Sequence, residues 1–282
     1  MEQKTFDVIL DKAIDNGVDW LNETFSSFFS FFNSIISGSV TVVESSLLWI
    51  PFYIIIIVFG YLAWRFAGRW LTLITVIGFL FCYSMNLWQE TMITMAIVIV
   101  ATLAALVIAI PFGILAALNQ TANQITRPVM DFLQTMPPYV YLIPAIALLG
   151  FGRCPAVVAT AIVALPPTLR LTNLGIRQVP AEQLEVGRAF GASSRQILFK
   201  IQIPHALPTI MAGINQSLML ALSMAVIAGI IGAGGLGKNV YAAIRYLEID
   251  KAFDAGLAIV ILAIILDRIS QASINLFRKG PQ

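Results

Sequence analysis

The sequence predicts an all-α protein that crosses a membrane several times. Hydrophobic residues make up 59% of the 282 and charged residues only 11%, whereas about a quarter of the residues of a soluble domain are charged. The apolar residues also stand in long uninterrupted blocks, and about 18 or more apolar residues in a row match the thickness of a bilayer's hydrocarbon core. The formal net charge of +2 is too small to indicate a nucleic acid as partner.

The first segment, residues 1–46, is acidic and amphipathic. Its first half places apolar residues near helical spacing, namely Phe6, Ile9, Leu10, Ile14 and Val18, with acidic residues between them. A helix of this kind lies in the membrane interface without crossing, or packs against the protein's own helices. Residues 1–19 have no apolar centre flanked by basic residues, so no cleavable signal peptide is expected.

Seven spans are predicted after this segment. Two additional spans occupy residues 47–88, and five form a core within residues 89–277. The predicted limits are 47–63, 70–87, 91–118, 129–149, 155–169, 207–231 and 255–274. Prolines fall inside the fourth and fifth spans, where neighbouring helices can satisfy the carbonyl groups that a proline leaves without a donor.

The basic residues fall on one side of the membrane if the spans number seven. They are Arg65, Arg69, Arg127, Arg170, Arg177, Arg188, Arg195, Lys200, Arg268, Arg278 and Lys279. Because cytoplasmic loops are enriched in lysine and arginine, this pattern predicts an external N-terminus and a cytoplasmic C-terminus.

A polar segment at about 180–204 separates the fifth and sixth spans and still has the pattern of helix. Two short helices are predicted, at 181–190 and 193–201, joined at Gly191 and Ala192. A glycine at this joint permits a turn, or the close approach of another chain, that a side chain would block. Pro204 is expected to end the second helix just before the next span.

This segment resembles the EAA signature of the permease subunits of ATP-binding-cassette (ABC) importers. The signature runs Glu-Ala-Ala, three residues, Gly, nine residues, Ile-x-Leu-Pro. The chain has Glu185-Val186-Gly187, then Gly191, then Ile201-Gln202-Ile203-Pro204 in the same register. Segments beginning at 131, 164, 212 and 259 are also similar to the glycine betaine/proline betaine and choline permeases, so the resemblance covers about 90–271.

The resemblance implies a type I ABC importer transmembrane domain with a five-helix core, in a bacterial inner membrane. Two extra spans and the amphipathic helix precede that core here. It implies glycine betaine or a related quaternary amine or proline compound as substrate. The implied partners are a second permease subunit (a homodimer by default), two ATP-binding subunits, a substrate-binding protein and membrane lipid. No cofactor and no catalytic residue are expected in this chain, because ATP and Mg²⁺ belong to the ATPase.

Two sets of functional residues are expected. The residues that would transmit force to the ATPase are Glu185, Gly187, Arg188, Ala189, Phe190, Gly191, Ala192, Ile201 and Pro204. The candidates for lining the translocation pathway are Met136, Tyr139, Tyr141, Asn215, Met219 and Met224. Residues 215–217 are polar within an apolar span, although such residues also bond one helix to another.

Other chemistries have weaker support. Residues 232–239 (GAGGLGKN) approach a phosphate-binding loop, but Asn239 stands where that loop needs serine or threonine, so a turn with close helix packing near the outer mouth is expected. A single histidine, His205, leaves no histidine-based metal cluster. The alternative function is an ion-coupled transporter or channel without an ATPase. Such carriers often keep ionisable residues at mid-membrane, whereas Asp131 and Asp267 stand near span ends, where pairs with Arg127 and Arg268 are expected.

Overall fold

The computed structural model describes residue 12 and residues 15–278, with side chains described as far as residue 272. The described residues are almost entirely helical. The helices are α1 (Ser26–Trp49), α2 (Phe52–Ala67), α3 (Arg69–Ser84), α4 (Trp88–Leu118), α5 (Gln120–Thr135), α6 (Leu142–Leu149), α7 (Arg153–Arg177), α8 (Ala181–Ala189), α9 (Ser194–Ile197), α10 (Ile203–Ile227), α11 (Gly235–Tyr246) and α12 (Ile249–Arg278).

The core of the bundle is built on α7, which lies between α4 and α10 and contacts both along most of its length. Fully buried side chains of this core include Met92 and Met95 of α4, Val157 of α7, Met224 of α10, and Leu262 and Ile265 of α12. A buried hydrogen bond joins α7 to α10, since the hydroxyl oxygens of Thr168 and Ser217 are 2.8 Å apart. These helices fix where the segment between α7 and α10 emerges from the bundle.

Four helical runs among the described residues are long and apolar enough to cross a membrane: Ser26–Trp49, Trp88–Leu118, Arg153–Arg177 and Ser194–Ile231. The last is continuous from α9 through α10. The helices α2 and α3 are apolar but have only 16 residues each, about 24 Å at 1.5 Å per residue. They form a hairpin that packs on α12, a helix of 30 residues.

The predicted fourth span, 129–149, is broken in the structure near its first two prolines. The chain runs as α5 to Thr135, turns through one 3₁₀ turn (Pro138–Tyr141), and continues as α6 at 108° to α5. Pro137 and Pro138 have no backbone N–H to offer to the preceding turn, so the helix cannot continue there.

The predicted end of the fifth span at residue 169 was also too early. The helix α7 passes through Pro166 and Pro167 and ends at Arg177. Both prolines are buried against neighbouring helices, and that packing offsets the hydrogen bonds that they remove.

The N-terminal segment packs on the rest of the chain. Predicted apolar positions 6, 9, 10 and 14 lie outside the described residues, whereas residues 15–24 are helical and α1 follows them. Arg153 bonds to Thr41 and makes an ion pair of 2.6 Å with Glu44, and the Asn33 amide donates to the carbonyl of Leu149 at 3.3 Å. This agrees with packing against the protein's own helices. The length and apolar composition of α1 also suffice for a membrane crossing, which the interfacial expectation did not foresee.

The boundary between α1 and the first additional span also differs from the prediction. The helix α1 continues to Trp49, and α2 begins at Phe52, because Pro51 stands in extended conformation between them. Residues 47–49 therefore belong to α1.

Candidate functional site

The segment between α7 and α10 begins with α8, whose C-terminal end has the geometry of a Schellman motif. The N–H of Ala192 donates to the carbonyl of Gly187 at 3.0 Å, and the N–H of Gly191 donates to that of Arg188 at 2.9 Å. This closure requires a left-handed residue after the helix, and Gly191 supplies it with φ of +75°. No heavy atom of the described residues lies within 4 Å of where its Cβ would stand. The glycine is thus used for its backbone conformation and not for close approach within this chain.

Gly187 has the opposite role, since it allows α8 to lie against the start of the next helical run. A Cβ at Gly187 would stand 2.7 Å from Cδ1 of Ile201 and 3.6 Å from Cγ1 of Ile197. Ile197 is buried. Gly187 and Ile201, which are 14 residues apart, therefore form the contact that sets the orientation of α8.

The next helical run starts with a capping box. The Ser193 hydroxyl accepts a hydrogen bond from the N–H of Gln196, and the Gln196 side chain accepts one from the N–H of Ser193. The short α9 passes into one π-helical turn (Leu198–Gln202) and then directly into α10. Pro204 therefore does not end the helix as expected. It lies in the first turn of α10, directly after the π-helical turn, where the altered bonding pattern accommodates a residue without an N–H.

The outward face of α8 is apolar. Val186 is 55% exposed and Phe190, one helical turn later, is 88% exposed. Exposed apolar side chains at i and i+4 lie on one helix face, and Glu185, Arg188 and Ala189 beside them are exposed as well. A small apolar patch with charged neighbours, on a segment that projects from the bundle, is typical of a docking surface. The i,i+4 spacing of Val186 and Phe190 was readable in the sequence but was not used there.

The base of this segment is held firmly in the bundle. The Arg177 guanidinium at the end of α7 donates to the carbonyl of Ala116 at 3.1 Å. Ile176, Ala206 and Ile210 form a small buried cluster where α7 and α10 meet. The two ends of the segment that carries α8 are thus anchored next to each other in the bundle.

The candidate pathway residues do not share one environment. Tyr141 and Met224 are buried within the subunit, Met136 and Met219 are half-buried, and Tyr139 is exposed. The Tyr141 hydroxyl donates to the carbonyl of Leu133, which accounts for its polar group. Burial of Tyr141 and Met224 argues against their contact with a pathway that runs over the subunit's surface.

Asn215 is a nearly buried link between helices. Its amide donates to Asp267 Oδ1 on α12 at 3.0 Å, and Gln271 donates to the same oxygen at 2.7 Å. Arg268 approaches the other carboxylate oxygen only to 3.9 Å. The role of Asp267 as an acceptor between α10 and α12 was missed from the sequence, which considered only its neighbour Arg268. By contrast Gln216, the next residue after Asn215, is exposed.

Asp131 pairs across helices and not along its own. The prediction of a pair with Arg127 was wrong, because Asp131 bonds to Arg170 of α7. The same pair of helices is joined by the amide of Asn173, which donates to the side-chain oxygen of Asn123 at 2.7 Å. Contacts between helices thus take precedence over the i,i+4 pairing that the sequence indicated.

The glycine-rich segment 232–238 lies at the opposite end of the bundle from α8. Leu236 is fully buried, and its N–H donates to the Thr94 hydroxyl of α4 at 2.8 Å. The segment thus starts α11 with tight helix packing, which is the role expected for it. Among the described residues, no group of three or more His, Cys, Asp or Glu side chains lies together as metal ligands would.

Comparison with known proteins places the chain among transport proteins. The sequence profile described as "Binding-protein-dependent transport system inner membrane component" matches residues 109–279. The chain is 45% identical over 262 residues to the glycine betaine transport system permease protein OpuAB of Bacillus subtilis, covering 93% of each chain. It is 47% identical to the glycine betaine/carnitine transport permease protein GbuB of Listeria monocytogenes, over 92% of this chain and 93% of that one.

Two further comparisons agree with these. The chain is 45% identical to the glycine betaine/proline betaine transport system permease protein ProW of Escherichia coli, over 93% of this chain and 74% of that protein. Among solved structures, an inward-facing form of the MetNI methionine ABC transporter matches with a TM-score of 0.61 at 22% identity, covering 68% of this chain and 95% of that one. At that sequence identity, the structural match shows the fold alone.

Proposed function

The chain belongs to the family of binding-protein-dependent transport system inner membrane components, and from this premise we propose the function of its parts. It is a transmembrane permease subunit of an ABC importer, with the all-α fold of a type I importer domain. The substrate we propose is glycine betaine or a related quaternary amine. The observation that carries this proposal is the 45–47% identity, over more than nine tenths of the chain, to three permeases named for glycine betaine. An ion-coupled transporter or channel without an ATPase is not favoured.

The partners follow from the same premise. Two copies of the chain would enclose the pathway, two ATP-binding subunits would bind ATP and Mg²⁺, and a substrate-binding protein would deliver the substrate. The chain itself would bind no cofactor and carry out no catalysis. ATP-driven closure of the ATPase pair would open the pathway outward, and hydrolysis would return it to the inward-open state.

In this proposal α8 is the coupling helix. Its apolar face, Val186 and Phe190, would fill a cleft of the ATPase, and Glu185, Arg188 and Ala189 would surround that contact. Gly191 and Ala192 would close the helix end. Gly187 and Ile201 would connect α8 rigidly to the run that becomes α10, in which Pro204 marks the first turn. This arrangement supports force transmission because one face of α8 is free for docking and the other is packed on the chain.

The pathway would run along the exposed side of the subunit, toward the second copy. Gln216, Leu220 and Ser223 are exposed on α10 at i, i+4 and i+7, so they lie on one face. Tyr139 is exposed on the connection between α5 and α6. We propose these residues as pathway contacts, with Met136 and Met219 at the margin and Asn215 as a support behind them.

The orientation we propose has α8 in the cytoplasm of a bacterium, with the C-terminus on the same side and the N-terminal segment external. It is supported by the arginines of the α2–α3 turn, of the end of α7, of α8 and of the end of α12, which the helix pairings bring to the same end of the bundle.

Transport in proteoliposomes tests the proposed function. The chain, co-purified with its ATP-binding subunit, is reconstituted with ATP enclosed and substrate-loaded binding protein outside. Uptake of labelled glycine betaine that requires enclosed ATP and persists when ionophores collapse ion gradients is the expected result. Uptake that follows an ion gradient and ignores ATP would contradict the proposal.

A further inference from the structure

A cleft of about 620 Å³ opens between the α2–α3 hairpin and the C-terminal half of α12. It lies at the same end of the bundle as α8, because α12 runs antiparallel to α10 and meets it at Asn215 and Asp267. The hairpin is fixed against α12 by a close contact of Gly78 with the side chain of Ile261. Half of the cleft is thus built by the two helices that precede the family profile's match, which begins at residue 109.

The walls of the cleft are apolar and open. Phe66, Leu71, Ile74 and Ile264 line it, and Trp70 stands at its edge with 73% of its surface exposed. Tryptophan at such a position is typical of the boundary between hydrocarbon and headgroup. A wall of this chemistry suits an acyl chain better than water or a small polar solute.

One arginine lines the opening, and two exposed arginines are sequence neighbours of residues that line it. Arg268 lines the cleft, and Arg65 and Arg69 lie on either side of the hairpin turn at Gly68. Within residues 15–272, neither Arg65 nor Arg69 takes part in a salt bridge. The carboxylate nearest Arg268 is that of Asp267 at 3.9 Å, and this group already accepts hydrogen bonds from Asn215 and Gln271. Arg268 thus brings positive charge to the opening beside a carboxylate that already has two hydrogen-bond donors, and Arg65 and Arg69 add charge without a salt bridge at the adjoining turn.

We propose that this cleft is a binding site for an anionic phospholipid, with its headgroup phosphate on Arg69 and Arg268 and an acyl chain along the apolar wall. Basic pockets between membrane helices on the cytoplasmic side hold anionic headgroups by this combination of charge and apolar surface. A free phosphate would satisfy the arginines but leave the apolar wall uncovered, so a lipid fits both halves of the site. The cytoplasmic placement rests on the orientation proposed above.

The lipid would join the added hairpin to the transport core. Its headgroup would bridge Arg69 on α3 and Arg268 on α12, two helices that otherwise meet through apolar packing. Occupancy of the cleft would then stabilise the hairpin against α12 in membranes rich in anionic lipid.

Native mass spectrometry of the purified importer, exchanged into equal amounts of phosphatidylglycerol and phosphatidylcholine, tests this site. The Arg69→Gln, Arg268→Gln double variant is compared with Lys238→Gln, Arg245→Gln, which removes two exposed charges at the opposite end of the bundle. The wild type and the control are expected to retain phosphatidylglycerol preferentially. The Arg69/Arg268 variant should lose that preference by roughly 25-fold, since each basic residue at the surface contributes about fivefold.

A photoactivatable phosphatidylglycerol locates the bound lipid on the same protein. Cross-links in residues 66–74 and 264–272 are expected, and they should be lost in the Arg69/Arg268 variant. Equal retention of the two lipids by the wild type, an unchanged preference in that variant, or cross-links confined to other segments would overturn the proposal. ATPase activity stimulated by the binding protein, measured on the same preparations, reports the proposed transport function separately from lipid binding.

Discussion

Replacing Gly191 with alanine isolates the turn that ends α8. The left-handed conformation at φ of +75° costs an L-residue roughly 1–2 kcal/mol. The space around the new methyl group is open within the chain, so the substitution introduces this conformational cost without an internal clash. If the closed turn is the form that docks on the ATPase, a cost of that size lowers its population by a factor of roughly 5–30.

The assay is ATPase activity stimulated by substrate-loaded binding protein, together with the affinity of the ATP-binding subunit for the reconstituted permease. Gly191→Ala is expected to weaken both within that range. Gly191→Asn should weaken them less, because asparagine tolerates the left-handed conformation better than alanine. Gly38→Ala is the matched control, since Gly38 also has open space around it but lies within α1. That control should leave coupling unchanged.

Equal coupling in Gly191→Ala and wild type would refute the reasoning, provided that the variant inserts and dimerises normally. It would mean that the Schellman closure is not needed in the docked state. Equal losses in Gly191→Ala and Gly191→Asn would also contradict it. They would indicate that any side chain at this position weakens coupling, so that contact with the ATPase and not the backbone conformation determines the loss.

Three further predictions concern the same segment and the proposed pathway. Gly187→Leu should displace α8, because its Cβ would stand 2.7 Å from Ile201, and should therefore abolish stimulated ATPase activity. Ala189→Leu, at an exposed position of the same helix, should retain more of that activity. Equal losses in the two variants would contradict the packing argument. Phe190→Ala should weaken co-purification of the ATP-binding subunit at least tenfold without lowering the melting temperature, since this side chain is 88% exposed; unchanged co-purification would remove it from the docking surface. Asn215→Ala should lower the free energy of unfolding by about 0.6–1.7 kcal/mol through loss of its hydrogen bond to Asp267. Gln216→Ala should change the Michaelis constant for uptake and leave the free energy of unfolding unchanged. The reverse pattern would make Asn215 the pathway contact and Gln216 the structural support.

The sequence predicted the structure correctly where a single local property, such as an apolar block or a glycine, determines the backbone conformation. Long apolar blocks predicted helices, and helices were found, because a helix satisfies every backbone group within a bilayer. Gly191 was predicted to permit a turn or the close approach of another chain, and within this chain it serves the turn, since glycine adopts positive φ without strain. The resemblance to importer permeases was confirmed by the family match.

The remaining features depend on neighbours that are distant in sequence. The helix breaks at Pro137 and Pro138, which are exposed, whereas Pro166 and Pro167 lie inside α7 and are buried against neighbouring helices. Asp131 had an arginine one turn away and another on α7, and the structure uses the second. In its contact with Gly187, Ile201 lies in a π-helical turn, which no pattern of apolar spacing indicates.

The helical run from Ser194 to Ile231 is unbroken over 38 residues, which gives a rod of about 57 Å at 1.5 Å per residue. It starts beside α8 and ends next to the turn at Gly232, where the carbonyl of Ile231 accepts the N–H of Gly152 from the α6–α7 loop. A rod of this length is a lever, since a tilt of about 10° around its inner end carries the outer end by about 10 Å. If α8 docks on an ATPase as proposed, a small rotation there would be enlarged at the far side of the bundle, next to the hydrogen bond between Ile231 and Gly152.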